Sequence, residues 1–193
     1  MSNDFFALIS RMKYINRWAL MRNTEKESLC QHSYEVSIIA HALATISNKR
    51  FGTKLDANKA AMIGLYHDAS EILTGDMPTP VKYYSPEILG AFKNVENIAT
   101  EKIIEMLPDD LRDDYREIML PNDDDKELWR ICKAADKMSA LIKCIEEEKA
   151  GNHEFEKAKE ATERSIHKMN IPAAEVFMKE FLPSFELTLD QLK

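Results

Sequence analysis

Four side chains of the kinds that bind metal ions stand at widely separated points of the chain. His67 and Asp68 are adjacent in the run LYHDASEILTGDMPTP. His32 is close to the start of one helical stretch, and Asp136 lies in another, ICKAADKMSALIKC. An unpaired carboxylate among apolar residues is costly unless its charge is compensated. Two imidazoles and two carboxylates suit Mn, Co, Fe, Ni or Zn, and suit Mg or Ca less well. We therefore predict one divalent metal ion bound by His32, His67, Asp68 and Asp136.

Plainer interpretations of these residues exist. A His-Asp dipeptide is a weak signal alone, and His67 and Asp68 would then form a surface pair at a helix edge. Asp136 would be a helix-surface aspartate paired with Lys133 or Lys137. Small alanines before Asp136 leave room for close approach, which favours the metal site.

The remaining histidines are predicted to lie outside this site. His41 follows His32 by nine residues, about half a turn out of phase on a helix, so the two face opposite sides. Among alanines and Leu43, His41 is predicted to be a packed or edge histidine. His153 and His167 lie in charged stretches and are predicted to be solvated.

Glu71 is the candidate for general acid–base chemistry. It follows His67 by four residues and Asp68 by three, which places it on the same face of a helix. There it would either orient water or protonate a departing alkoxide. The alternative is a surface acid, which its apolar surroundings disfavour.

Helical periodicity dominates the rest of the chain. Only 5 glycines and 7 prolines interrupt 193 residues, and no stretch alternates long enough for a strand. We predict an all-α protein, with residues 1–193 forming one domain of seven or eight helices. Gly75 should end the helix that carries the His-Asp pair, and Pro78 and Pro80 should prevent its return. The helices are expected at about 5–15, 31–48, 56–73, 86–107, 108–119, 125–150, 154–169 and 172–182.

Bulk composition excludes several classes of protein. A net charge of −7 and a pI near 5.3 make a nucleic-acid polymer an improbable partner, since phosphates require a positive field. The three scattered cysteines suggest no disulfide framework. The sequence shows no signal peptide and no run of the ~18 apolar residues that a membrane span needs. We expect a cytoplasmic protein that does not bind membranes.

Several motifs resemble one enzyme family over nearly the whole chain. They are INRWALMRN, His32-Ser33, YHDASEILTGDMPTPVKY, KAADKMSALIKCIEE and FMKEFLPSFELTLD. These are similar to the YfbR-type 5′-deoxynucleotidases, which are HD-domain metal-dependent phosphohydrolases. The resemblance implies an HD-type helical fold, a divalent metal such as Co or Mn, and a homodimer. It also implies release of phosphate from deoxyribonucleoside 5′-monophosphates. Gln31 departs from the pattern, which has an acid before the histidine, and this puts metal affinity in doubt.

The resemblance also implies where substrate binds. Arg17 carries a planar fork that matches phosphate oxygens, and Trp18 either closes over the sugar or anchors the core. Asp76 either accepts a hydrogen bond from a sugar hydroxyl or crowds a 2′-hydroxyl. The prolines of its loop reduce the entropy lost on binding. No base-reading set is evident, so little base selectivity is expected. The predicted catalytic residues are Glu71 and Arg17, and the predicted substrate-binding residues are Arg17, Trp18, His32, Asp68, Asp76, Met77, Pro78, Thr79 and Asp136.

Two other functions compete with this one. The same ligands would serve an HD phosphohydrolase that acts on another nucleotide or phosphate ester. A non-catalytic HD module that senses a ligand is the second alternative, although the intact ligand set and Glu71 argue against it. A substrate panel distinguishes the first, and metal analysis with a phosphate-release assay distinguishes the second.

Overall fold

Every regular element that the structure describes is helical. The computed structural model describes residues 3–82 and 84–192, apart from the side chains of Thr79 and Pro80. Eight of its α-helices have five residues or more, which confirms the predicted fold class. The α-helices are α1 (Phe5–Ile9), α2 (Leu29–Phe51), α3 (Ala57–Tyr66), α4 (Glu71–Thr74), α5 (Thr79–Lys82), α6 (Pro86–Ile104), α7 (Arg112–Met119), α8 (Lys126–Lys149), α9 (Glu156–Lys168) and α10 (Pro172–Glu180).

Side-chain caps fix where the longer helices begin. Asp56 accepts a hydrogen bond from the Lys59 N–H at 2.9 Å at the start of α3. At the start of α2, Ser28 and Gln31 form a capping box, in which Gln31 Oε1 accepts the Ser28 N–H at 2.8 Å. Glutamate and glutamine serve this position alike. The departure at Gln31 therefore falls on an exposed helix cap rather than on the histidine that follows it.

The helix predicted over 56–73 is interrupted directly after Tyr66. The Ala69 N–H bonds the Tyr66 carbonyl, and the Glu71 N–H bonds the Asp68 carbonyl, each three residues back. This is the tighter turn of a 3₁₀ segment. His67 Nδ1 donates to the Gly64 carbonyl at 2.8 Å, a side-chain bond that competes with the helical ladder. The prediction of one continuous helix was wrong, because α4 begins anew at Glu71.

The loop after α4 also differs from the prediction. Gly75 ends α4 with a positive φ of 75°, as expected. The chain then forms a further short helix, α5, that contains Pro80. A helix tolerates proline in its first turn because the N–H groups there have no intrahelical acceptor. The expectation that the prolines would prevent helix formation was therefore wrong.

The two longest helices, α2 and α8, pack on each other and on α3 around the main apolar core. Where α3 meets α2, a Cβ built on Gly64 would lie 3.0 Å from Ser37 Cα. The helices thus approach to backbone contact at Gly64. A second apolar cluster, which includes Phe5, Ala69 and Ile103, packs beneath the turn after α3. Among the described helices, none is long and apolar enough to cross a membrane.

Candidate active site

His32, His67 and Asp68 converge where the beginning of α2 meets the end of α3. One ligand atom from each lies within 4.8 Å of the other two, and the imidazole centroids are 5.3 Å apart. Asp68 Oδ2 is 3.0 Å from His67 Nε2 and 3.7 Å from His32 Nε2. The structure therefore brings together three of the four predicted ligands from two elements.

Asp136 reaches the same cluster from α8. Its Oδ1 lies 3.2 Å from His32 Nε2, although it is not one of the three residues whose ligand atoms all lie within 4.8 Å of one another. The side chain retains 36% of its exposure, so part of it is open to solvent. Within the described ranges, it forms no ion pair with Lys133 or Lys137, the alternative that the sequence left open.

Hydrogen bonds behind the two imidazoles direct their free nitrogens towards the cluster. His32 Nδ1 lies 3.0 Å from Ser139 Oγ, whose hydroxyl donates to Glu35 at 2.5 Å. Ser139 must therefore accept the His32 Nδ1–H. His67 Nδ1–H donates to the Gly64 carbonyl. Both Nε2 atoms are buried and lack a hydrogen-bond partner among the described residues. Once deprotonated, two Nε2 atoms that face carboxylates are a donor set that fits a divalent ion.

The carboxylates of this cluster are held in the ionised form. Burial opposes the charge on Asp68, but the neighbouring His67 lowers its pKa below the ordinary value. Burial likewise opposes the charge on Asp136, whose pKa is lowered by His32. In turn, Asp68 raises the pKa of His67 against the effect of burial. The cluster thus concentrates negative charge that a cation would offset.

Glu71 is buried beside the cluster at the start of α4. Its Oε2 has no hydrogen-bond partner within the described ranges. Burial raises the pKa of Glu71 to about 9, and the nearby carboxylates of Asp68 and Asp76 add to the effect. In the absence of a bound cation, this shift favours the protonated form of the carboxyl group near neutral pH.

Arg17 and Trp18 lie near the start of a loop over residues 16–28. Main-chain hydrogen bonds join the two ends of this loop, and we call the joined ends its neck. The Arg17 N–H bonds the Glu27 carbonyl at 3.0 Å, and the Leu29 N–H bonds the Ile15 carbonyl at 2.8 Å. Trp18 adopts a positive φ of 58°. Its indole packs on the Phe155 ring, with centroids 5.3 Å apart. The side chains of Arg17 and Trp18 are therefore both placed by a closed backbone neck.

Glu27 joins this loop to the histidine cluster, and the sequence analysis did not predict it. Both of its carboxylate oxygens accept from Arg17 Nη1 at 3.2 Å, and Oε2 accepts from Trp18 Nε1 at 2.7 Å. Its Oε1 lies 3.6 Å from His32 Nδ1. In the polar run NTEKES nothing distinguishes Glu27 from Glu25, so no local signal identifies it. Ser139 and Glu35 were also missed, although a hydroxyl within the apolar run of α8 is a usable signal.

The GDMPTP loop borders the cluster. Asp76 is half-buried, and burial raises its pKa, an effect that the charge of Arg17 partly offsets. Met77 and Pro78 are half-buried on the same loop. The side chain of Thr79 lies outside the described part of the structure. Lys82 pairs with Glu96 at 2.9 Å.

The other histidines lie away from the cluster. His41 is exposed on α2, so packing does not explain it and it is an edge residue. His153 and His167 are exposed as predicted, and each pairs with a glutamate on the surface.

Solved structures with the same architecture define the class of the protein. An HD-domain phosphohydrolase from Listeria innocua superposes with a TM-score of 0.82 at 25% identity, covering 94% of this chain and 88% of that one. The HD phosphohydrolase DatZ of cyanophage S-2L, solved with dA and one catalytic Zn²⁺, gives a TM-score of 0.66 at 19% identity, covering 94% and 96%. The chain has the fold of the HD-domain phosphohydrolases.

Sequence comparison narrows this class to one family. The family model described as 5′-deoxynucleotidase YfbR-like matches residues 4–185. A 5′-deoxynucleotidase of Vibrio atlanticus is 46% identical over 190 residues, which cover 98% of each chain. The protein belongs to the YfbR-like 5′-deoxynucleotidase family.

Proposed function

We propose that the protein is a metal-dependent 5′-deoxynucleotidase that hydrolyses deoxyribonucleoside 5′-monophosphates to deoxyribonucleosides and phosphate. Its family and its relatives carry that activity in their names. One observation supports the proposal above the others: the two unpartnered Nε2 atoms of His32 and His67 face Asp68 and Asp136 in one cluster. An ordinary core histidine is hydrogen-bonded.

In this proposal His32, His67, Asp68 and Asp136 hold the ion. An ion held there would lower the pKa of a bound water and so would supply a nucleophile near neutral pH. Ser139 and the Gly64 carbonyl keep both imidazoles in the tautomer whose Nε2 is free. We infer a borderline ion such as Co, Mn or Zn from the mixture of nitrogen and oxygen donors.

Arg17 and Glu71 complete the chemistry. Arg17 uses only Nη1 to bond Glu27, and its Nη2 has no protein acceptor in the described ranges. That edge of the guanidinium is available to phosphate oxygens. Glu71, protonated and buried, donates its proton to the departing 5′ oxygen. Of the two roles considered for Glu71, its burial, its unpartnered Oε2 and the raised pKa of the metal-free site favour the acid.

We assign sugar contacts to Trp18 and to the loop of Asp76, Met77, Pro78 and Thr79. The charges of Arg17 and Asp68 both act on the carboxylate of Asp76. A 2′-hydroxyl pressed against this wall would displace the sugar, and a shift of ~1 Å at the reacting atom costs ~100-fold in rate. The identity of the nucleobase should have little effect on the rate of hydrolysis.

The test is phosphate release after chelation and reloading with Co, Mn, Zn or Mg. Deoxyribonucleoside 5′-monophosphates should be hydrolysed well in at least one metal, AMP poorly, and 3′-monophosphates hardly at all. Asp68→Asn and Asp136→Asn should lose bound metal and turnover, whereas the exposed-site control Asp123→Asn should lose neither. Metal retention without phosphate release would favour a sensing module instead.

Three further properties belong to this proposal: one domain over residues 1–193, a homodimer, and a cytoplasmic location. The unpaired thiols of Cys30, Cys132 and Cys144 are consistent with a reducing compartment. Tyr34 and Ile38 expose apolar surface on the outer face of α2, which is compatible with a subunit contact. Sedimentation velocity of the parent protein and Ile38→Lys tests the dimer.

A further inference from the structure

We propose that Glu27 is a positioning residue that fixes the phosphate-binding Arg17 and the sugar-facing Trp18 relative to the metal ligand His32. The inference rests on the proposed function and adds a residue to it. Glu27 contacts all three side chains with one carboxylate. Among the described residues of the loop, only Glu27 is near Arg17, Trp18 and His32 at once.

The contacts are well placed and shielded from water. The exposed fractions of the side chains are 13% for Arg17, 11% for Glu27 and 0% for His32. Hydrogen bonds that involve a charged group are the stronger ones, and water competes little here. Loss of the carboxylate would therefore free a long side chain that is otherwise fixed.

The position of the bond on the guanidinium matters for phosphate binding. Glu27 bonds Nη1 alone, so it orients the group without occupying the opposite edge. A pre-oriented fork loses less conformational entropy when phosphate arrives. Substitution of Glu27 should therefore weaken phosphate binding more than it slows the chemical step.

Trp18 depends on the same carboxylate. A non-glycine residue at positive φ persists only where the surroundings compensate its strain. Here the compensation comes from the indole bond to Glu27, the Asn23 side chain on the Trp18 carbonyl at 3.2 Å, and packing on Phe155. Without Glu27, the indole should leave this environment and its emission should change.

His32 depends on Glu27 only in a secondary way. The 3.6 Å separation is too long for a hydrogen bond, and Ser139 already accepts the Nδ1–H at 3.0 Å. Metal affinity should therefore change less than phosphate affinity in a Glu27 variant. This difference separates positioning of the loop from damage to the metal site.

The experiment uses Trp129→Phe as the parent, because the chain has two tryptophans and Trp18 is then the only reporter. Glu27→Gln, Glu27→Asp and the exposed control Glu25→Gln are compared in the metal-loaded protein. The readouts are Trp18 emission, inorganic phosphate titration, metal affinity, and KM and kcat for dAMP. Circular dichroism and the melting temperature monitor folding.

Glu27→Gln should shift Trp18 emission, weaken phosphate binding and raise KM by ~10-fold or more, with kcat and metal affinity changing less. Glu27→Asp, which keeps the charge, should restore phosphate binding in part, and Glu25→Gln should match the parent. Unchanged phosphate binding and emission in Glu27→Gln would overturn the proposal. So would equal losses of metal and phosphate affinity. If Glu27→Gln fails to fold, Glu27→Asp decides by the same criteria. A parent that binds phosphate without hydrolysing dAMP would refute the proposed function alone.

Discussion

At the scale of single residues, the free Nε2 atoms separate this cluster from a buried ion-pair network. A structural histidine between two carboxylates would use both ring nitrogens in hydrogen bonds. Here each Nδ1 has a partner behind it, and each Nε2 has none in the part of the chain described. Without a cation the raised pKa of His67 favours a proton in this place, and a divalent ion would displace that proton and bind the nitrogen.

Glu71→Gln tests the acid at this scale. The amide keeps the size of the side chain but has no acidic proton to transfer, so kcat for dAMP should fall by at least ~100-fold. Metal content should stay near that of the parent, because the substitution leaves all four proposed ligands in place. Phosphate release and elemental analysis measure both quantities. The exposed Glu105→Gln serves as control, and loss of metal with the rate would make Glu71 a ligand instead.

Asp76→Ala tests sugar selection. If the Asp76 carboxylate rejects the 2′-hydroxyl, the ratio of kcat/KM for dAMP over AMP should fall by ~10-fold or more, since a misplaced phosphate is the cost of the clash. In this variant, the rates with dGMP and with dAMP should change by the same factor, because the base is not expected to affect selection. If the variant keeps the parent's ratio, Asp76 does not reject the 2′-hydroxyl, and Trp18 becomes the next candidate for that role.

The residues that sequence reasoning found and missed differ in a physical way. His67, Asp68 and Asp136 are polar groups in apolar runs, so their local sequence already demands a compensating partner. Glu27 lies in a polar run, where a carboxylate is ordinarily solvated. Its role arises only because the loop returns to the neck and places it beside Arg17.

At the scale of elements, backbone contact between α2 and α3 positions the cluster. Gly64 allows α3 to lie against Ser37, and its carbonyl orients His67. Four residues after Gly64, in the turn that follows α3, the chain places Asp68 in the cluster. The distance between α2 and α3 therefore affects where His67 and Asp68 lie relative to His32.

Gly64→Ala should therefore destabilise the protein and weaken metal binding, although alanine is the better helix former. The new Cβ would meet backbone atoms of Val36 and Ser37 at 3.0–3.1 Å, and overpacking of this kind costs about 1–3 kcal/mol. Gly90→Ala in α6 is the matched control, because a Cβ added there would have nothing within 4 Å and should stabilise by about 0.5–1 kcal/mol. Urea unfolding and metal titration measure the two effects; equal behaviour of both variants would contradict the close-contact argument.

Glu147 on α8 fixes the outer part of the 16–28 loop. It accepts hydrogen bonds from the Thr24 and Glu25 N–H groups and from the side chains of Lys143 and Asn152. Burial opposes its charge, but these donors, Lys143 first, lower its pKa to about 2. Its stabilising contribution is complete above the ordinary pKa of 4.5 and is lost as the pH falls towards 2.

Glu147→Gln should lower the free energy of unfolding at pH 7 by up to about 3 kcal/mol, the equivalent of this shift. The difference between the variant and the parent should shrink as the pH falls from 4.5 to 2, because the parent gains the proton that the amide already replaces. Urea unfolding from pH 7 down to the lowest pH at which both proteins fold measures it. A difference independent of pH would mean that shape rather than charge holds the loop.

Helix boundaries show which structural features the local sequence predicts and which it does not. Ser28 and Asp56 cap helices that begin within two residues of the predicted positions, because a cap is a local interaction. The break after Tyr66 was not predicted. It depends on a side-chain bond from His67 to Gly64 within a run whose periodicity stays helical, and periodicity alone does not report such a bond.

At the scale of the whole molecule, a protein of net charge −7 must attract a dianionic phosphate. Lys133 and Lys137 lie three residues before and one residue after Asp136 on α8. Burial lowers the pKa of Lys133, and repulsion from Lys137 and Lys93 adds to that effect, which indicates a crowded group of cations. Local potential rather than net charge guides association.

We expect kcat/KM for dAMP to fall several-fold as ionic strength rises from ~0.02 to ~0.2 M, since screening shortens the Debye length. In Lys133→Gln/Lys137→Gln, kcat/KM should be lower at low salt and should depend less on salt. Lys179→Gln, exposed on α10, keeps the salt dependence of the parent. Stopped phosphate-release assays at matched pH measure the slopes, and parallel slopes in all three proteins would exclude steering by this group.

The neck of the 16–28 loop also bears on how this protein can change over generations. Main-chain hydrogen bonds close that neck, and every amino acid except proline can supply the N–H that they need. The backbone that positions Arg17 therefore does not depend on particular side chains for the hydrogen bonds of the neck. Exposed positions of the tip such as Leu20 and Lys26 can drift in sequence while the arginine stays in register with the histidines. A proline at position 17 or 29 removes a closing bond directly, so those two positions should be closed to it in any surviving variant.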